Sequence, residues 1–236
     1  MRILLAKRIK VDFVEPVNDE NETPVELMNM TGTHLQDLNE YCLLDIFTTK
    51  TLDLTDLCSI AETSKRFKEI VRRIIPKELR LSTENVHLYE VNLGKYQLRS
   101  WMSDEGRKDL KRIFKSFGSL LLKVSVNSAG IRYDAFNTEL LLLQLITIHC
   151  VGNLKSLNLS LNNENLVMRI PPALAAELRP IFEQLQIIHL KNVFVDGDIT
   201  LFANCNSLVD LELINVRNCL ILENAFPKLN TFTYIN

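Results

Sequence analysis

The feature that most constrains this chain is a spacing, L-x-x-L-x-L, that returns along its second half. Leu154, Leu157 and Leu159 carry it, as do Leu185, Ile188 and Leu190, then Leu208, Leu211 and Leu213, and last Leu229, Phe232 and Tyr234. Leu121, Val124 and Val126 make an earlier, looser match. The alternation at the end of each match is that of a short strand with one apolar face. A unit this small cannot bury such a face alone, so each must borrow its core from its neighbours. The matches begin 33, 31, 23 and 21 positions apart, so the early units carry longer return segments. One of these, PPALAAELRPIFEQL, reads as a helix opening after Pro171 and Pro172.

Spacing of this kind marks leucine-rich repeats, and residues 77–236 are expected to form them as a curved parallel sheet with outer helices. Asn162 falls at the ninth position of its repeat, where an inward asparagine bonds the turn backbone, but Asn192, Asn215 and Asn236 fall one place early. A regular asparagine ladder is therefore not expected. The chain stops at Asn236 inside a repeat, so the expectation is either a truncated product or a dimer at that end. The strand positions that point away from the core are the expected recognition surface, on the concave face. They are Ser156, Asn158 and Ser160; Ile187, His189 and Lys191; Asp210, Glu212 and Ile214; and Thr231 and Thr233.

Residues 11–33 hold six acidic side chains, two prolines and few aromatics, so residues 1–33 read as a disordered leader. From Leu35 the text changes. Leu43, Ile46 and Phe47 repeat at three and four residues as one helix face does, followed by Leu57, Ile60, Ala61 and Ser64, then by Phe67, Ile70, Val71 and Ile74, with Pro76 as a stop. Three short helices in residues 34–76 make a bundle too small to enclose all of its apolar side chains. The surplus is expected to be covered by something beyond the bundle.

The segment Leu38 to Ile74 resembles the F-box: LN, LLDIF, TDLCSIAET and SKRF follow that family's order, with Asn39 where the family has proline. Together with the repeats, residues 34–236 look like the insect-type F-box and leucine-rich-repeat proteins. The resemblance implies an α/β architecture, a three-helix F-box followed by a leucine-rich-repeat solenoid. It also implies a function: substrate receptor of a Skp–cullin–F-box ubiquitin ligase. The F-box would dock on the Skp adaptor, and through it on the cullin and RING subunits, while the repeats hold an unknown protein substrate. Carried over by position, the adaptor contacts would be Leu38, Leu43, Leu44, Ile46, Phe47, Leu57, Ile60, Ser64, Lys65 and Phe67.

No catalytic chemistry is expected. His34, His87, His149 and His189 share no metal spacing, and no H-E-x-x-H, G-x-S-x-G or phosphate-binding glycine loop occurs, so neither metal nor cofactor is implied. His149 and Cys150 are adjacent, which in a strand would send them to opposite faces. A net charge of −2 and a basic stretch from Lys65 to Arg80 whose single aromatic, Phe67, makes no stacking platform argue against nucleic acid. The five cysteines without a C-x-x-C pair, the short apolar run after Met1 and the lack of a membrane-length segment point to the cytoplasm or nucleus.

Overall fold

The computed structural model describes residues 35–48, 51–85, 88–101, 103–128, 136–163, 167–196, 201–218 and 225–236. The expected leader, residues 1–33, lies outside them. The chain divides into two units, Met1–Leu38 and Asn39–Asn236. In the first, Leu35–Asp37 form a single 3-10 turn. The second is α/β, with six α-helices and an open, mostly parallel sheet among the described residues.

Three helices come first: Glu40–Phe47 (α1), Leu54–Thr63 (α2) and Lys65–Ile74 (α3). Each starts at a side chain that accepts one of the otherwise unpaired first N–H groups. Asn39 takes the N–H of Cys42 at 2.9 Å, so a side-chain cap stands where the F-box pattern has proline. Asp53 and Asp56 cap α2 reciprocally, the N–H of Asp56 donating to Asp53 at 2.8 Å and the N–H of Asp53 to Asp56 at 3.2 Å. Ser64 ends α2 with extended backbone and caps α3 through the N–H of Phe67 at 3.1 Å. Leu43 and Phe47 of α1, Leu57 and Ile60 of α2, and Phe67, Ile70 and Val71 of α3 are buried. The rings of Phe47 and Phe67 meet edge to face at 5.5 Å.

Beyond Pro76, strands Glu78–Asn85 (β1), Leu88–Leu93 (β2) and Tyr96–Trp101 (β3) form an antiparallel meander. Gly94 turns β2 into β3 at φ +60°, where an added Cβ would lie 2.5 Å from the Pro76 ring. The sequence reading, which began parallel repeats at residue 77, missed this meander. Period-two alternation is common to both kinds of strand, and only the two-residue turn at Gly94 distinguishes them.

The rest of the unit is Asp104–Phe117 (α4), Lys123–Ser128 (β4), Phe136–His149 (α5), Ser156–Leu161 (β5), Met168–Ile170 (β6), Pro172–Gln184 (α6), Ile187–Val195 (β7), Asp210–Arg217 (β8) and Thr231–Ile235 (β9). The sheet order is β3-β2-β1-β4-β5-β7-β8-β9, with β6 beside β7, and every pairing from β1–β4 onward is parallel. Val124, Leu157, Ile188, Leu211 and Phe232 share one row, and Val126, Leu159, Leu190, Leu213 and Tyr234 another. Both rows are buried from β4 to β8, as are the preceding Leu121, Leu154, Leu185 and Leu208. Each step is closed the same way, one carbonyl receiving the two N–H groups at the start of the next strand. Leu122 thus accepts from Lys155 and Ser156, Lys155 from Gln186 and Ile187, and Gln186 from Val209 and Asp210. The two longest return segments contain α5 and α6, while the shorter ones after β7 and β8 hold no helix among the described residues.

Two expectations are corrected here. Cys150 follows the last residue of α5, so His149 and Cys150 are not neighbours in a strand; the run from Leu140 to Ile148 is helical. The asparagines are also not misplaced. Asn192 and Asn215 adopt left-handed backbone, φ 58° and 48°, which swings an early asparagine inward. Asn215 Nδ2 donates to Asn192 Oδ1 at 2.7 Å, and Asn192 Nδ2 to the Leu161 carbonyl at 2.7 Å. A short asparagine ladder exists, one residue ahead of its expected position. The change of hand breaks the alternation of β7, so that Asn192 and Val193 are both buried.

The surplus apolar surface of the helices is covered in good part by this same chain. Helix α2 packs against α4 and β3, and α4 buries Leu110, Ile113, Phe114 and Phe117. Arg112 Nη2 reaches Glu62 at 2.7 Å and Ser59 at 3.2 Å. The Tyr96 hydroxyl donates to the Phe47 carbonyl at 3.2 Å, and Lys95 donates to the Thr48 carbonyl. Residues on both sides of position 76 thus share one unit. The boundary there is a change of secondary structure, not a gap in packing.

Candidate functional site

Strand alternation leaves one side of the sheet polar and accessible. Three rows cross it: Lys123, Ser156, Ile187, Asp210 and Thr231; Ser125, Asn158, His189, Glu212 and Thr233; and Asn127, Ser160, Lys191, Ile214 and Ile235. The structure therefore brings the recognition residues named from sequence onto one face. Asn158, Ser160, Ile187, His189, Lys191, Asp210, Glu212 and Ile214 are all partly accessible. Ser156 is the correction, since only 8% of it is exposed. Its short side chain is flanked in register by the longer Lys123 and Ile187.

The densest chemistry on this face is at His189. Its Nε2 lies 3.1 Å from Asp210 Oδ2 and its Nδ1 3.8 Å from Glu212 Oε2. The Nε2–Asp210 separation is within hydrogen-bonding distance and the Nδ1–Glu212 separation is beyond it, so the Glu212 carboxylate can still accept from a ligand. The pair of carboxylates can hold a cationic or N–H-rich group.

The same face continues onto the meander, which the sequence reading did not assign to it. Arg80 lies in register with Ser125 on one side and Asn92 on the other. Arg80 Nε donates to Glu78 at 2.8 Å, and this bond, with Lys123 3.4 Å away, holds the Glu78 carboxyl below the usual glutamate range. Pro76, Glu78, Arg80, Asn92, Gly94 and Gln97 line an open cleft of about 440 Å³. Trp101, 63% exposed, pairs with Leu88 on β2. The alternation Gln97, Arg99, Trp101 was the signal that could have found this extension.

The ten positions carried over from the F-box resemblance divide sharply. Leu43, Phe47, Leu57, Ile60 and Phe67 are buried in the packing of this chain, at most 6% exposed, and present nothing for a partner to touch. Leu44, Ile46 and Ser64 are half-buried and Lys65 is exposed, with the Ser64 hydroxyl engaged as the cap of α3. Leu38 belongs to the N-terminal unit. Tyr41 on α1, 81% exposed, is the large apolar side chain that the family pattern did not single out.

Among the described residues no group of three or more His, Cys, Asp and Glu side chains is placed to hold a metal ion; His34, His87 and Cys219 lie outside them. Burial pushes the thiols of Cys58, Cys150 and Cys205 up to about 12, which keeps them protonated and poorly nucleophilic. Burial, with Lys115 nearby, lowers the pKa of His149. No described helix is long and apolar enough to cross a membrane. No protein-family model, curated protein or solved structure matches the chain.

Proposed function

We propose that the chain is a substrate receptor of an SCF-type cullin–RING ubiquitin ligase, an F-box followed by leucine-rich repeats. In this reading α1–α3 hold the Skp adaptor and the open face of the sheet holds a protein substrate, with catalysis supplied elsewhere in the assembly. The observation that carries it is the in-register ladder of L-x-x-L-x-L strands, closed identically at each step and following three capped helices in F-box order. Such a ladder yields a broad accessible face with a separate core, the property a recognition subunit needs.

The adaptor contact then rests on the accessible residues Tyr41, Leu44, Ile46 and Lys65. Deleting the helices would be a poor test, because α2 is part of the packing of α4 and β3. The test is affinity capture from cells with the parent chain and a Leu44→Asp, Ile46→Asp variant of matched melting temperature. Loss of Skp and cullin by tenfold or more, with other partners retained, is expected; undiminished capture of Skp overturns the reading. Partners retained by that variant but lost from an Asn158→Ala, Glu212→Lys variant would be substrates.

A second reading, a scaffold that binds proteins through the repeats without ubiquitin transfer, is favoured by one observation. Five of the ten residues assigned to adaptor binding are spent on the chain's own core. Absence of Skp from the parent's captured partners would select it.

A further inference from the structure

The cleft at the meander end of the open face sets a cation with unused donors beside a buried acceptor that has no donor. Gln97, Asn92 and Arg80 stand in register on three adjacent strands and form one row of its lining. Only the Nε of Arg80 is engaged, by Glu78 at 2.8 Å, and its two terminal nitrogens bond no described residue. Asn92 gives its Nδ2 to Glu90 at 2.8 Å, which fixes the carboxamide, and its Oδ1 is buried without a partner. A buried acceptor is costly until it meets a donor. Lys123 stands 3.4 Å from the Glu78 oxygen that Arg80 holds, so two cations face one carboxylate here. The Pro76 ring, which an added Cβ on Gly94 would strike at 2.5 Å, is the one large apolar surface in the lining.

We propose that this cleft binds the free C-terminus of a polypeptide, with the terminal carboxylate on Arg80 and the main-chain N–H beside it on Asn92 Oδ1. A carboxylate accepts two parallel bonds from a guanidinium, and the terminal nitrogens of Arg80 are there to give them. The last residue of a chain holds its N–H and its carboxylate close together, so one residue answers both unmet needs. From Arg80 to Gln97 the row is two strand spacings wide, roughly 10 Å, and an extended peptide advances about 3.3 Å a residue. The row therefore spans about three residues. Gln97, whose exposed carboxamide both donates and accepts, suits the preceding peptide unit. A volume of about 440 Å³ fits a ligand of this size. With so little apolar lining the cleft reads main-chain groups rather than side chains, so affinity is modest. The proposal rests on the reading that the open face holds a protein, and names the part of that protein held at this end; it does not need the F-box.

The test uses the purified full chain and three short peptides of one Gly-Ser-Ala composition, labelled at the N-terminus and read by fluorescence polarisation. The first ends in a free carboxylate, the second is its C-terminal amide, and the third is the amide with one internal glutamate. The free acid is expected to bind about tenfold or more tightly than either amide. Arg80→Gln, at matched melting temperature, should bind the free acid and its amide alike, while Arg80→Lys, which keeps the charge but not the fork, retains part of the preference. Asn92→Ala should weaken binding of the free acid severalfold. Absence of binding, equal binding of acid and amide by the parent, or binding of the internal-glutamate peptide as tight as that of the free acid overturns the proposal. So does an Arg80→Gln variant that keeps the preference, or an Asn92→Ala variant that binds like its parent. No adaptor is present in this measurement, so its failure leaves Skp capture standing, and loss of Skp capture leaves the peptide preference standing.

Discussion

The helical bundle and the parallel strands handle their apolar residues in opposite ways. Along β5, β7 and β8 each strand contributes one row inward and one outward, so the residues that hold the fold and those that can meet a partner are different residues. In α1–α3 the apolar arc is too wide for the short helices that carry it, and the residues that resemble docking contacts are mostly consumed by packing. Strand geometry separates stability from recognition by its period of two. A helix of eight or ten residues does not, and which side of it is inside depends on what packs there.

The strongest test of this contrast is a pair of substitutions. Phe47→Ala, in the resemblance's docking set but buried against Phe67, is expected to cost about 3–5 kcal/mol of stability. Asn158→Ala, on the open face, should change it by less than about 0.5 kcal/mol. Urea unfolding of both would show it, and a small loss for Phe47→Ala would restore that residue to the docking surface. A middle-sized effect is expected at the strand corner. Asn192→Ala removes the acceptor of Asn215 and the donor to Leu161 at a buried position, for a loss of about 2–3 kcal/mol. Asn192→Gly accepts the positive φ but not the bonds and should recover only part of it. Equal stability of the glycine variant and the parent would mean that the backbone, not the ladder, matters.

The smallest expected effect joins the two regions. The hydrogen bond from Arg112 holds the Glu62 carboxyl below its ordinary value of 4.5. A depressed folded pKa gives stability that is present above 4.5 and is lost as pH falls through the folded value. The pair is accessible, so its contribution is a few tenths of a kcal/mol. Melting temperatures of parent and Glu62→Gln should differ slightly at pH 6 and converge in acid once the folded carboxyl is protonated. A difference that persists in acid would assign the effect to packing.

Much of the strand half was legible in the chain. The L-x-x-L-x-L spacing named the inward residues of β4, β5, β7 and β8 and thereby the outward ones, and the prolines named the start of α6. The meander was not legible as such, because alternation does not say whether the next strand returns beside its predecessor or beyond a helix. The extension of the open face through Arg80, Asn92 and Trp101 was missed for that reason. Ser156 was misjudged because burial at a strand's first residue depends on its flanking rows, which lie 33 and 31 positions away in sequence.

Local periodicity and capping chemistry are short-range, so the sequence by itself determined the helices α1–α3, the alternating strands and the rows into which they fall. Burial is long-range. That Tyr96 donates to the Phe47 carbonyl, that Glu62 meets Arg112, and that two early asparagines reach one another through a left-handed turn are contacts between residues 49, 50 and 23 positions apart. Only the tertiary structure decided them, because each depends on how separate segments share one enclosed volume.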